Sequence, residues 1–106
     1  AAISTTERVN VRLLKFTQLA RQDFQDIGDY IARDNQIAAF NFVSRLNGRC
    51  ISLADHPGTG RKRDEIVPSM RSATEGDYVI FYRVIDDGIE IMRVIHSKRD
   101  LGKISF

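Results

Sequence analysis

The sequence predicts an α+β fold: a helical hairpin packed on a mainly antiparallel sheet, in the order strand, helix, helix, three strands. Three observations predict it. Two long segments in the first half repeat apolar residues at helical spacing. The last third holds short runs rich in β-branched and aromatic residues. An Asp-Gly pair, residues 87–88, sits between the two strongest of those runs, where a tight hairpin turn belongs.

Each element follows in order. Residues 1–10 are polar and without period, and are expected to form a flexible tail to a single domain over 11–106. "VRLLKF" (11–16) is short and apolar enough for a strand. Thr17 is a good helix N-cap, because its hydroxyl can accept an otherwise unpaired backbone N–H. Ala20, Phe24, Ile27 and Ile31 then recur on one face of a helix over 18–34. A second helix, 36–55, carries Ala39, Phe42, Val43, Leu46, Cys50 and Leu53 on its apolar face. So short a linker makes the two helices an antiparallel hairpin. Cys50 reads as a small core residue and His56 as a helix-end group, with Pro57 blocking continuation. "MRSAT" (70–74) reads as a strand, "EGD" as a turn, and "YVIFYRVI" and "IEIMRVIH" as the strands of the hairpin.

Composition narrows the function classes. Hydrophobic residues make up 42% and charged residues 28%, which describes a globular chain rather than a disordered one. No apolar run reaches the roughly 20 residues a membrane helix needs. "AAISTTERVN" lacks the apolar core of a secretory signal, and one cysteine allows no internal disulfide, so a cytoplasmic location is expected. A net charge of +2 argues weakly for nucleic acid, although "GRKRDE" and "HSKRDLGK" gather the cations into clusters. Metal-ligand spacing, a Gly-rich phosphate loop and a Ser/His/Asp set are all missing, and no cofactor is expected.

With Asp87 and Gly88 as the central turn residues, Val84 faces Ile91, Tyr82 faces Arg93 and Ile80 faces Ile95, while Arg83 faces Met92 and Phe81 faces Val94. That register sends Arg83 and Arg93 to opposite sides. Both sides are apolar, yet the helical hairpin can cover only one. The second face is therefore expected to be bare and to await a partner.

The stretches "DIGDYIARDN", "AAFNFVSRL", "LADHPGTGRKRDEIVPSMRS", "GDYVIFYRV" and "IEIMRVIHSKRD" together resemble the ParE branch of the RelE/ParE toxin superfamily, over about residues 11–102. These are toxins of type II toxin–antitoxin, or plasmid-stabilisation, modules. The resemblance implies the same strand–helix–helix–three-strand fold. It also implies a ParD-like antitoxin as partner in a hetero-oligomer, and DNA gyrase as the inhibited target. On this reading Arg71, Tyr78, Phe81, Arg83, Met92 and Arg93 bind the antitoxin, whose acidic and apolar side chains suit guanidinium forks on an apolar sheet. Arg61, Arg63, His96, Lys98 and Arg99 face the target.

The RelE branch instead cleaves messenger RNA on the ribosome, which needs an acid/base group and cations about the scissile phosphate. By this resemblance the nuclease places arginines where Val79 and Ser97 stand, and a tyrosine near Lys103. Those replacements predict no catalysis. His96 and Arg99 are the alternative catalytic pair, since a histidine with a pKa near 6.5 serves as acid or base.

Overall fold

The protein, a computed structural model, is described over residues 12–106, so the expected tail at 1–10 lies outside the described residues. Strand β1 is Leu13–Phe16, followed by helices α1 (Gln18–Ala32) and α2 (Gln36–Asp55). A 3-10 turn at Pro57–Thr59 leads into β2 (Arg61–Lys62), β3 (Met70–Glu75), β4 (Tyr78–Ile85) and β5 (Gly88–His96). A second 3-10 turn covers Leu101–Lys103. The α+β class and the element order hold. The two-residue β2 is an addition, too short to carry a periodic signal.

Thr17 is the N-cap of α1: its Oγ1 accepts the Ala20 N–H (3.0 Å) and donates to the Met92 carbonyl (2.8 Å). Asn35 caps α2 in the same way, accepting the Ala38 N–H at 2.9 Å. The predicted stripes face the sheet. Ala20 and Ile27 of α1 and Leu46, Cys50 and Leu53 of α2 are buried with Ile80, Tyr82, Ile89 and Ile91. Burial pushes the Cys50 thiol up to about 12, so the thiolate is suppressed. Among the described residues no helix is long and apolar enough to cross a membrane.

The sheet order is β1-β5-β4-β3-β2, antiparallel except for the parallel β1–β5 pair. The hairpin register differs from the expected one. Ile85 pairs with Gly88, so the turn residues are Asp86 and Asp87. Val84 then pairs with Ile89, Arg83 with Glu90 and Tyr82 with Ile91. A bulge follows, and Phe81 pairs with Arg93 while Met92 has no partner. By register Arg83 and Arg93 both share the side of Phe81, not opposite sides. The glycine explains the error. A Cβ on Gly88 would lie 1.9 Å from the Leu13 carbonyl oxygen, so glycine is needed for the close approach of β1 rather than for the turn.

The second face is not bare. Met70, Phe81 and Ile95 are buried there beneath Ile66 and Val67 from the β2–β3 loop and Leu101, Ile104 and Phe106 from the segment after β5. Phe106 meets Phe81 edge-on at 5.0 Å. This cover is a run of turns at Ile66 and Val67 and a 3-10 turn with irregular chain after it at 101–106, so its apolar residues follow neither helical nor strand period.

Candidate functional site

The β3–β4 turn and the end of β5 meet the tip of the helical hairpin around an open groove of about 690 Å³. Tyr30, Ile31, Phe42, Arg45, Tyr78 and His96 are among its walls. The turn glycine Gly76 has φ +59°, and a Cβ there would press on the Phe42 ring at 3.2 Å, so turn and helix close together only around glycine. Tyr78 opens β4 and His96 ends β5, directly opposite each other. Their rings meet edge to face at 5.1 Å, and Phe42 lies 5.5 Å from Tyr78. The Arg45 guanidinium lies 5.4 Å over the Phe42 ring and donates to Glu75 at 2.6 Å.

Burial raises the Tyr78 pKa, with Tyr30 and Asp77 adding to it, so its hydroxyl stays neutral and is available as a donor. His96 Nδ1 accepts the Lys98 N–H at 3.1 Å, which leaves the proton of the neutral ring on Nε2. A smaller recess of about 180 Å³ adjoins the groove through Tyr30, Tyr78 and His96 and adds Asp26 and Arg99. The same hairpin tip carries three large exposed apolar side chains, Tyr30 (64%), Ile37 (74%) and Phe40 (73%).

Of the residues expected to meet an antitoxin, Tyr78 alone lines this groove. Arg71 donates to the Gly60 carbonyl at 2.6 Å and so holds the loop before β2. Phe81 is wholly buried and Met92 packs against its cluster. Arg83 is half exposed and salt-bridged to Glu90 at 2.8 Å. The Arg93 side chain is 12% exposed and pairs bidentately with Asp23. Hydrogen bonding to Asp23 raises the Arg93 pKa above the ordinary arginine value.

The residues expected to face a target fall in two places. Arg61 lies exposed on β2, at the edge of the sheet. Arg63 is drawn in: it pairs with Glu65 (2.8 Å), donates to Ser72 Oγ (3.1 Å) and stands 5.6 Å over the Phe81 ring. Lys98 and Arg99 are exposed just after β5, next to half-buried His96. His96 and Arg99, the alternative catalytic pair, do share the smaller recess. Val79 packs toward the second-face core, Ser97 donates its N–H to the Asp77 carbonyl (2.8 Å), and Lys103 is exposed. None of these three supplies a guanidinium or a phenol. Among the described residues no group of three His, Cys, Asp or Glu side chains is placed to hold a metal ion.

Two features were missed at the sequence level. Tyr30 lies off the buried stripe of α1, so no apolar period marks it. Asp23 falls on the stripe, three residues after Ala20 and four before Ile27, and is 9% exposed. An acid at such a spacing signals a buried cationic partner.

The family model for the ParE toxin of type II toxin-antitoxin system, parDE, matches residues 14–101. The chain is 29% identical to toxin ParE1 of Caulobacter vibrioides over 84 residues, 78% of this chain and 86% of that one. It is 32% identical to toxin RelE2 of the same organism, also over 84 residues, covering 79% and 93% of the two chains. A solved structure of the chromosomal ParDE TA system from P. aeruginosa superposes with a TM-score of 0.70 at 24% identity, over 84% of this chain and 99% of that one.

Proposed function

The chain belongs to the ParE toxin family of type II toxin–antitoxin systems, and from that premise we propose that it inhibits DNA gyrase by contact and is neutralised by a ParD-like antitoxin. The antitoxin's apolar side chains enter the groove between Phe42, Tyr78 and His96. The exposed tip residues Tyr30, Ile37 and Phe40 extend that contact. Arg45 and Arg99 at the walls favour an acidic partner. The target is met by the exposed cations Lys98 and Arg99. An antitoxin in the groove lies against His96 and Arg99 and so masks the target-facing side.

The observation that carries this reading is the juxtaposition of an aromatic groove with a solvent-exposed basic turn, combined with Val79, Ser97 and Lys103 at the positions where the nuclease branch needs catalytic groups. Changing Lys98 and Arg99 together to Gln should reduce inhibition of gyrase supercoiling at least tenfold. The melting temperature should hardly move, because exposed substitutions usually cost under ~0.5 kcal/mol. Full inhibition by that folded variant would place the contact elsewhere, with the exposed Arg61 on β2 the next to test.

The groove is tested separately. Phe40→Asp with Tyr30→Ala should weaken antitoxin binding by about 30-fold, the loss of roughly 2 kcal/mol typical of an interface hot spot. Calorimetry against the co-encoded antitoxin measures it, and an unchanged affinity would remove the hairpin tip from the interface.

A second reading rests on one observation: His96, Arg99, Tyr30 and Tyr78 converge on one recess, as an acid/base site would. Mapping transcript ends after induction separates the two. New ribosome-dependent cuts that vanish in His96→Ala would establish the nuclease in place of the inhibitor.

A further inference from the structure

We propose that Asp23 and Arg93 form a clasp that fixes the basic loop after β5 in place, which makes Asp23 a positioning residue for that loop. The functional half of the inference rests on the target contact proposed above. The geometry is a three-way junction on one guanidinium. Arg93 Nε donates to Asp23 Oδ2 at 2.7 Å and Nη2 to Asp23 Oδ1 at 2.8 Å, a parallel fork. The remaining terminal nitrogen, Nη1, donates to the Ser105 carbonyl at 2.7 Å. Asp23 in turn accepts the Val94 N–H through Oδ2 at 2.9 Å.

That last bond explains why the acid is there. The β1 ladder on β5 ends at the Phe16–Ile91 pair, because the chain turns into α1 at Thr17. Beyond Ile91 the edge of β5 has lost its strand neighbour. Thr17 Oγ1 donates to the Met92 carbonyl and the Asp23 carboxylate takes the Val94 N–H, so α1 side chains stand in for the missing strand. The carboxylate then carries a charge in a nearly buried place, its side chain 11% exposed, and needs the guanidinium beside it.

The consequence reaches the loop. The bond from Arg93 to Ser105 spans 12 residues of chain and closes them at the base. Between those points stand the exposed cations Lys98, Arg99 and Lys103. Inside the loop, Ser97 N–H bonds to the Asp77 carbonyl, Asp100 Oδ1 accepts the Gly102 N–H at 2.9 Å, and Leu101 and Ile104 are held on the second-face core. Only arginine can serve this junction. A lysine has one nitrogen and cannot bridge both carboxylate oxygens and a carbonyl in fixed directions.

The test uses the full chain carrying Arg93→Lys, and separately Asp23→Asn. Amide hydrogen exchange, gyrase supercoiling inhibition and antitoxin affinity are read for each. Exchange at residues 101–106 should rise at least tenfold while the central β4 amides of Ile80 and Phe81 keep their protection. Inhibition should fall at least tenfold, and antitoxin affinity should fall less, because Phe42, Tyr78 and the hairpin tip stay in place while Arg99 moves with the loop. Combining the two substitutions should add little to either alone, since both break one junction. If Asp23→Asn fails to fold, Arg93→Lys, which keeps the charge, decides the matter. Unchanged exchange at 101–106 in folded Arg93→Lys overturns the clasp. A loosened loop with full inhibition overturns the positioning role. If the parent protein does not inhibit gyrase, the target reading fails, and the exchange result still judges the clasp by itself.

Discussion

Replacing Gly88 by alanine should destabilise the protein by more than about 4 kcal/mol, the range reserved for strain and broken packing in a native core. The added methyl would sit 1.9 Å from the Leu13 carbonyl oxygen and 2.7 Å from the Leu13 carbon and nitrogen. Those are backbone atoms, and they cannot swing aside as a side chain would. β1 must move off β5, which breaks the parallel register from Leu13–Gly88 to Phe16–Ile91 and the Leu13 N–H bond to Asp87. Leu14 and Phe16 then leave the core they pack against. Small domains are stable by about 5–15 kcal/mol, so this single methyl brings the fold near its limit. Gly48→Ala is the control of opposite sign. Nothing lies within 4 Å of a Cβ at that exposed helical site, and alanine should stabilise by about 0.5–1 kcal/mol. Denaturant titration of both variants checks the pair. A cost at Gly88 of about 1 kcal/mol or less would mean that β1 does not dock as described.

Phe81→Ala should cost about 3–5 kcal/mol and act on folding rather than on recognition. The ring is wholly buried, edge-on to Phe106 at 5.0 Å and beneath the Arg63 guanidinium. Truncation leaves a cavity under the cover formed by Ile66, Leu101 and Ile104, whose segments are tied at Arg63 and at Arg93 and so can close it only in part. Thermal unfolding of free protein and antitoxin complex separates the two roles. The structural role predicts a large drop in melting temperature and, at a temperature where the variant is folded, an antitoxin affinity close to the parent's. A stable Phe81→Ala variant that no longer binds antitoxin would return Phe81 to the recognition surface.

The helical half was legible because its signals are local. Thr17 lies three residues before Ala20, the first of an apolar stripe, and the stripe itself names the buried face. Strand positions in β3, β4 and β5 were legible for the same reason. Register was not. One glycine can serve a turn or a close approach, and the difference lies in β1, more than seventy residues away in sequence. The cover of the second face was illegible because Ile66, Val67, Leu101, Ile104 and Phe106 belong to irregular chain. Arg93 was noticed as a cation in an apolar run, but its partner Asp23 is 70 residues distant, and the free arginine drawn from the strand alone is an internal tie. Tyr78 was legible as a strand-end aromatic, a local feature, but the groove it lines was not. Tyr30, Ile31, Phe42 and Arg45 come from two helices, and the groove exists only where these meet the β3–β4 turn and the end of β5.

The parallel pairing of β1 with β5 sets a timetable. The Thr17 hydroxyl reaches a carbonyl 75 residues later in the chain. At roughly 5–20 residues per second of synthesis, β1 waits about 4–15 s for its strand, and the completed helical hairpin about 2–8 s. Until β5 docks, Ile89, Ile91 and Val94 are missing from the core under the hairpin, an opening for chaperones and proteases. The groove between hairpin tip and β5, and the basic loop beyond it, do not yet exist. On the function proposed above, a nascent chain of this topology is unarmed until β5 has emerged and docked, and a slow translation pause before Gly88 would lengthen that vulnerable phase without altering the finished protein.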